Sequence, residues 1–152
     1  MKKIYLLIIV ISISTAGFSQ TKTAHKFNEK LAKELGADDY GMRKYVIAFL
    51  KKGPNRIKDS IKAAELQKAH MTNIGRLAKE GKLAIAGPFL GNSELRGIYI
   101  FNVETVEEAQ KLTATDPAIQ AGSLIMELHP WYGSAALGLV NKYHDEVSKI
   151  KW

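Results

Sequence analysis

The 152 residues carry 22 basic and 15 acidic side chains, a formal net charge of +7, and no cysteine. Without cysteine the chain has neither disulfides nor a thiol nucleophile, so a packed core or a subunit interface must hold it together. The basic residues occur singly or in pairs, without the stripe and interleaved aromatic rings that nucleic-acid binding uses, so no nucleic-acid partner is predicted.

Residues 1–19 are predicted to be a signal peptide. Two lysines precede an apolar run, Ile4–Ile13, and small residues follow up to Ser19. The run is about half of the ~20 residues that span a bilayer, so no stable membrane anchor is expected after cleavage near Ser19/Gln20. The exported chain of roughly 130 residues suits one domain, located in the periplasm or secreted.

Residues 20–43 are predicted to be a polar leader segment. Phe27, Leu31 and Leu35 have helical spacing before Gly36, which predicts a short, weakly docked helix. The nearly continuous apolar stretch Lys44–Leu50 then predicts a strand buried on both faces.

A long amphipathic helix is predicted from Ser60 to Gly81, with Asp59 or Ser60 as its cap. Leu66, Ile74 and Leu77 form its apolar stripe. His70 lies on the same stripe, four residues from Leu66 and four from Ile74. An imidazole on a face directed at the core must be hydrogen-bonded there or must line a cavity.

The remaining elements complete a β-α-β-β-α-β order. Strands are predicted over 82–86, 97–103 and 124–128, and a capping box at Thr105–Glu108 opens a second helix that ends at Asp116-Pro117. This order predicts an α+β, ferredoxin-like fold with both helices on one face of an antiparallel sheet. The other face needs a cover, which favours a homodimer. Residues 132–152 are predicted to be a helical extension that packs on its own domain or reaches across the dimer.

His70 and Asp116 are the candidate catalytic residues. In the predicted fold both side chains can reach one cavity between sheet and helices, and a carboxylate near an imidazole raises its basicity and fixes its tautomer. The alternatives are a core histidine bonded to a backbone carbonyl and an aspartate that only ends a helix.

Four further residues are candidates for substrate binding: Gly87, Pro88, Arg96 and Trp131. Gly87-Pro88 predicts either a bulge that turns backbone N–H groups toward a ligand or a simple strand break. Arg96 either binds an anionic substrate or is a solvated loop residue. Trp131, in the sequence His129-Pro130-Trp131 that ends the last strand, either walls the pocket or plugs an edge of the core.

The sequence contains no motif for metal binding, for phosphate binding by a glycine-rich loop or for a serine nucleophile. The four histidines are widely scattered and none forms an i, i+4 pair, so no metal site is predicted. There is no glycine-rich phosphate loop and no serine in an elbow motif, and no cofactor is predicted.

The chain resembles the YCII-related (YciI-like) family over roughly Tyr45 to Trp131. The resemblance is carried by His70 and by the segments Leu77–Leu83, Ala86–Phe89, Glu108-Ala109, Thr115–Ala118 and Ala121-Gly122. The segment Leu35–Met42 resembles the leader of an exported branch found in Bacteroidetes-type bacteria. The export signal, the leader and the tail depart from the family's pattern.

This resemblance implies a domain of the dimeric α+β barrel type, residues 44–131, with His70 and Asp116 as the family's proposed active site. Some relatives are linked to lyase-type or dehydrohalogenation chemistry on aromatic rings. The first hypothesis is therefore a small cofactor-independent enzyme, of lyase or isomerase type, that acts on a small anionic or aromatic compound. The second is a non-catalytic ligand-binding or assembly protein of the same fold.

Overall fold

The computed structural model describes residues 26–150. The predicted signal peptide and residues 20–25 of the leader lie outside the described residues, as do the last two residues. The elements in chain order are α1 (Glu29–Glu34), β1 (Met42–Lys52), α2 (Ser60–Lys79), β2 (Leu83–Pro88), β3 (Leu95–Phe101), α3 (Val106–Thr113), α4 (Pro117–Gln120), β4 (Leu124–Ser134), a 3₁₀ turn (Ala135–Leu139) and α5 (Val140–Val147).

The four strands form one antiparallel sheet in the order β2-β3-β1-β4, which is the ferredoxin-like topology predicted from the sequence. The single chain thus has the subunit fold of the dimeric α+β barrel type. Alternate residues of β1 point to the helices, where Val46, Ala48 and Leu50 pack with Leu77 and Phe101 in the main core. The alternation follows from the two-residue period of a strand.

The helices begin where their caps predict. The Asp59 carboxylate accepts from the N–H groups of Ile61 and Lys62, so Asp59 is the cap of α2, and Thr105 caps α3 by accepting from Glu108. Helix α3 ends at Thr113, before the predicted stop. Asp116 instead caps the short helix α4, whose first residue is Pro117.

The predictions for the ends of two strands are wrong. Strand β2 continues through Gly87 to Pro88, so the chain neither breaks nor bulges there, and the irregularity in its register lies between Leu83 and Ile85. Strand β4 runs through Pro130 to Ser134. Both are edge strands, where a proline without an N–H does not interrupt a ladder on both sides.

The C-terminal extension packs on its own domain. Leu137 joins a second cluster with Tyr45, Ala84 and Ile100 on the sheet face opposite the helices, and the Asn141 amide donates to the Leu83 carbonyl at 2.7 Å. Helix α1 has no buried residue, in keeping with its predicted weak docking. Across residues 26–150, no helix has the length and apolar character to cross a membrane.

Candidate functional site

The structure brings His70 and Asp116 into direct contact. His70 Nδ1 lies 2.9 Å from each carboxylate oxygen of Asp116, although the two residues are 46 positions apart. His70 is 7% exposed and Asp116 is 0% exposed. A charged carboxylate is rarely buried without partners, so this pair is a specific arrangement and not a chance surface contact.

Backbone structure fixes both members of the pair. His70 lies in the middle of α2, on the stripe that faces the sheet. Asp116 is held as the cap of α4, where its Oδ1 also accepts from the Ala118 N–H at 2.9 Å. Because the carboxylate can only accept, a neutral His70 carries its proton on Nδ1 and leaves a lone pair on Nε2.

Tyr99 completes a chain of three polar groups. Its hydroxyl lies 3.4 Å from His70 Nε2, and the two rings are nearly parallel, with their centroids 6.3 Å apart. Burial raises the pKa of Tyr99 far above its usual range, and the negative charge of Asp116 raises it further. Tyr99 therefore keeps its proton and can donate it to Nε2.

A second polar cluster lies one helical turn further along α2. Asn73 Oδ1 accepts from Arg76 at 2.8 Å and from the Thr115 hydroxyl at 3.1 Å. A guanidinium can only donate, so these bonds fix the orientation of the amide. Asn73 Nδ2 is then buried without a hydrogen-bond partner among the described residues.

A cleft of about 190 Å³ lies near the pair, although neither His70 nor Asp116 lines it. Two of its lining residues are neighbours of the pair: Leu66 precedes His70 by one helical turn, and the Ala118 N–H donates to Asp116. Other residues around it include Arg56, Gln67, Arg96 and Ser123. The cleft therefore combines apolar surface near the pair with two guanidinium groups.

Of the four predicted substrate-binding residues, the structure brings only Arg96 to this cleft. Gly87 and Pro88 pair with Ile98 and Gly97 at the outer edge of the sheet. Trp131 is 38% exposed and lies beside Tyr45 on the opposite sheet face, with the ring centroids 5.9 Å apart.

Sequence reasoning missed Tyr99, Asn73 and Arg56. Tyr99 alternates with Phe101 on the helix-facing side of β3, and Asn73 follows His70 by three residues, so strand and helix periodicity were available signals for these two. Arg56 lies in a loop, and no periodic pattern marks it.

Another hollow of the surface lies away from the pair. A larger hollow of about 450 Å³ lies between Ala136 and Val147 on the C-terminal extension, and it contains none of the predicted site residues. Within residues 26–150, no group of three or more histidine, aspartate and glutamate side chains has an arrangement that could hold a metal ion.

The fold and the buried pair define a ferredoxin-like domain with a histidine–aspartate contact beside a small cleft. The chain belongs to the YCII-related domain family, whose model matches residues 44–132, more than half of the chain. None of the curated proteins compared with the chain matches it.

One similar solved structure is 5-chloro-2-hydroxyhydroquinone dehydrochlorinase from Burkholderia phenoliruptrix AC1100, in complex with 2,5-dihydroxybenzoquinone. It is 19% identical, with a TM-score of 0.43, over 57% of this chain and 92% of the other. At these values the likeness carries no argument about the activity of this chain.

Proposed function

We propose that this protein is a small enzyme that uses His70 and Asp116 as an acid–base pair on a small anionic or aromatic compound. The observation that carries the proposal is the pair of 2.9 Å contacts between His70 Nδ1 and the buried Asp116 carboxylate, near a cleft that Leu66 and Ala118 line. A carboxylate that fixes the tautomer and stabilises the imidazolium is the arrangement that general acid–base catalysis by histidine needs.

In this proposal Nε2 of His70 takes a proton from the substrate and then gives it up, to the leaving group or to water in an elimination and to another atom of the substrate in an isomerisation. Asp116 holds the ring and stabilises the positive charge that forms. The Tyr99 hydroxyl contact at 3.4 Å is long for a hydrogen bond, so a substrate group can compete for Nε2 at low cost. Proton removal followed by loss of a leaving group gives a lyase-type reaction, and return of the proton to another atom gives an isomerisation. Neither requires a cofactor.

The test is a turnover screen with small carboxylates and phenols, with and without ring halogens. We expect His70→Gln and Asp116→Asn to lower kcat by about 100-fold or more on any substrate found. His129→Gln is the matched control, because His129 also contacts a carboxylate but lies on the other sheet face. Unchanged turnover in both site variants would contradict the proposal.

A non-catalytic ligand-binding or assembly role is the second candidate. One observation favours it: both ring nitrogens of His70 already have partners in the protein, and the residue is 7% exposed. Under this hypothesis the screen yields ligands that raise the thermal unfolding temperature but are not converted. His70→Gln then changes stability and leaves no activity to lose.

We also propose that the protein is a homodimer. The sheet face opposite the helices leaves Ile47, Phe49 and Ile98 half-buried, and Trp131 more exposed, because the C-terminal extension covers only one end of it. A second sheet is the usual cover for such a face. Sedimentation equilibrium should give twice the chain mass, and Phe49→Asp should convert the protein to a monomer.

Export to the periplasm or the medium is a further proposal, as is membership of the exported Bacteroidetes-type branch. Export is supported by the two N-terminal lysines, the apolar run Ile4–Ile13 and the small residues after it. Cell fractionation with N-terminal sequencing tests it: the exported chain should begin at Gln20. A cytoplasmic protein that retains Met1 would contradict it.

A further inference from the structure

We propose that Arg56 and Arg96 form a two-armed binding site for the oxyanion group, carboxylate or phosphate, of a compact organic ligand in the cleft that they line together with Leu66 and Ala118. This inference rests on the proposed function, because it names the class of substrate that the acid–base pair would receive. It adds Arg56, which no sequence motif marks, to Arg96.

The two guanidinium groups lack counter-charges in the part of the chain that the structure describes. Arg56 makes no hydrogen bond or ion pair with any of residues 26–150, and the side chain of Arg96 reaches only the Gly91 carbonyl, at 3.5 Å. Arg76, by contrast, is paired with Glu80 at 2.9 Å. Two such groups around one cleft favour an anion, and guanidinium geometry matches the oxygens of carboxylates and phosphates.

The loop that carries Arg56 is held in place by the segment before β4. The N–H groups of Gly53 and Asn55 donate to the carbonyls of Ser123 and Gly122, and the Asn55 amide donates to Ala121. The approach is so close that a Cβ atom at Gly53 would lie 2.1 Å from the Gly122 carbonyl oxygen. Arg56 therefore starts from a fixed backbone, which lowers the entropy cost of binding.

The size and lining of the cleft define the rest of the ligand. Its volume of about 190 Å³ is below the roughly 300–1,000 Å³ of pockets for drug-sized molecules, so a single ring or a short chain fits. Leu66 and Ala118 give apolar surface next to His70 and Asp116. A ligand with its anionic group at the arginines therefore places its hydrocarbon part against Leu66 and Ala118.

Isothermal titration calorimetry with three probes of similar shape tests the site: benzoate, phenyl phosphate and the neutral benzyl alcohol. We expect an anion to bind, and Arg56→Gln and Arg96→Gln each to weaken it by about 10-fold or more. The matched control is Lys58→Gln, an exposed cation two residues after Arg56 that does not line the cleft. It should change the affinity by less than about threefold.

The outcomes separate this inference from the proposed function. Preference for benzoate or for phenyl phosphate, with the same dependence on both arginines, supports the site and selects carboxylate or phosphate. Equal affinity for benzyl alcohol, no binding of either anion, or equal losses in Lys58→Gln and the arginine variants overturns it. Anion binding that depends on both arginines, in a protein that converts none of the compounds screened, would support this site and contradict only the catalytic proposal.

Discussion

Two histidine–carboxylate pairs lie on opposite faces of the same sheet. His129 Nε2 is 2.8 Å from Glu127 Oε1 on the sheet face opposite the helices, called the open face below, and both side chains are nearly half exposed. His70 and Asp116 are 2.9 Å apart on the helix face, with side chains that are 9% and 1% exposed. Contact distance does not distinguish the pairs, but burial does.

The difference in burial changes how much each carboxylate depends on its hydrogen-bond partners. Glu127 accepts from both Lys51 and His129, and these bonds lower the pKa of its carboxyl, the bond from Lys51 having the larger effect. Exposed pairs of this kind are screened by water and salt. The buried carboxylate of Asp116 is not screened in this way. Hydrogen bonds from His70 and from the Ala118 N–H offset the cost of burying it.

The largest expected effect is on stability when Asp116 is removed. Asp116→Ala should lower the free energy of unfolding by about 3–5 kcal/mol, because it breaks a buried pair and also removes the cap of α4. Urea denaturation measures it, with Glu127→Ala as the matched control on the open face. The control should shift the midpoint far less. Equal shifts would mean that burial does not separate the two pairs.

The coupling between the two members of the buried pair should come next in size. A double-mutant cycle of His70→Gln and Asp116→Asn should give an interaction energy of about 1–3 kcal/mol, because the residues share two short contacts. The same cycle for His129→Gln and Glu127→Gln should give a much smaller value. A coupling near zero for the buried cycle would show that His70 and Asp116 stabilise the fold independently.

Tyr99 should make the free energy of unfolding fall at alkaline pH. Its pKa is raised in the folded protein, so above about pH 10 the unfolded chain loses a proton that the folded chain keeps. The free energy of unfolding should then fall with pH by up to about 1.4 kcal/mol per unit from this group. Tyr99→Phe should remove that part of the slope in urea denaturation between about pH 9 and 11. An identical slope in the variant would contradict the role of Tyr99.

The sequence was sufficient for features that depend on local pattern. The helical spacing of Leu66, His70 and Ile74 predicted which side of α2 faces the sheet, and the β-α-β-β-α-β order then predicted that Asp116 could reach His70. The caps at Asp59 and Thr105 are likewise local signals. The catalytic role of the pair stays a prediction.

Features that depend on tertiary placement could not be predicted in this way. Gly87-Pro88 and Pro130 have the composition of strand ends, and only the position of β2 and β4 at the sheet edges lets those strands continue. Arg56 reaches the cleft because backbone hydrogen bonds join its loop to residues 121–123, more than 60 positions away. No short-range pattern encodes such a contact.

The smallest expected effect belongs to Glu127, and its pH dependence sharpens the contrast between the faces. Because the folded-state pKa of Glu127 is lowered, its stabilising contribution is present above the ordinary glutamate pKa and is lost as pH falls through the folded value. The urea midpoints of the natural protein and Glu127→Gln should therefore differ slightly at about pH 6 and converge as the pH falls below the ordinary glutamate range. About 1 M salt should reduce the difference at the higher pH, since the Debye length then shrinks to about 3 Å. A difference that grows on acidification would mean that the pKa of Glu127 is raised in the folded protein and not lowered.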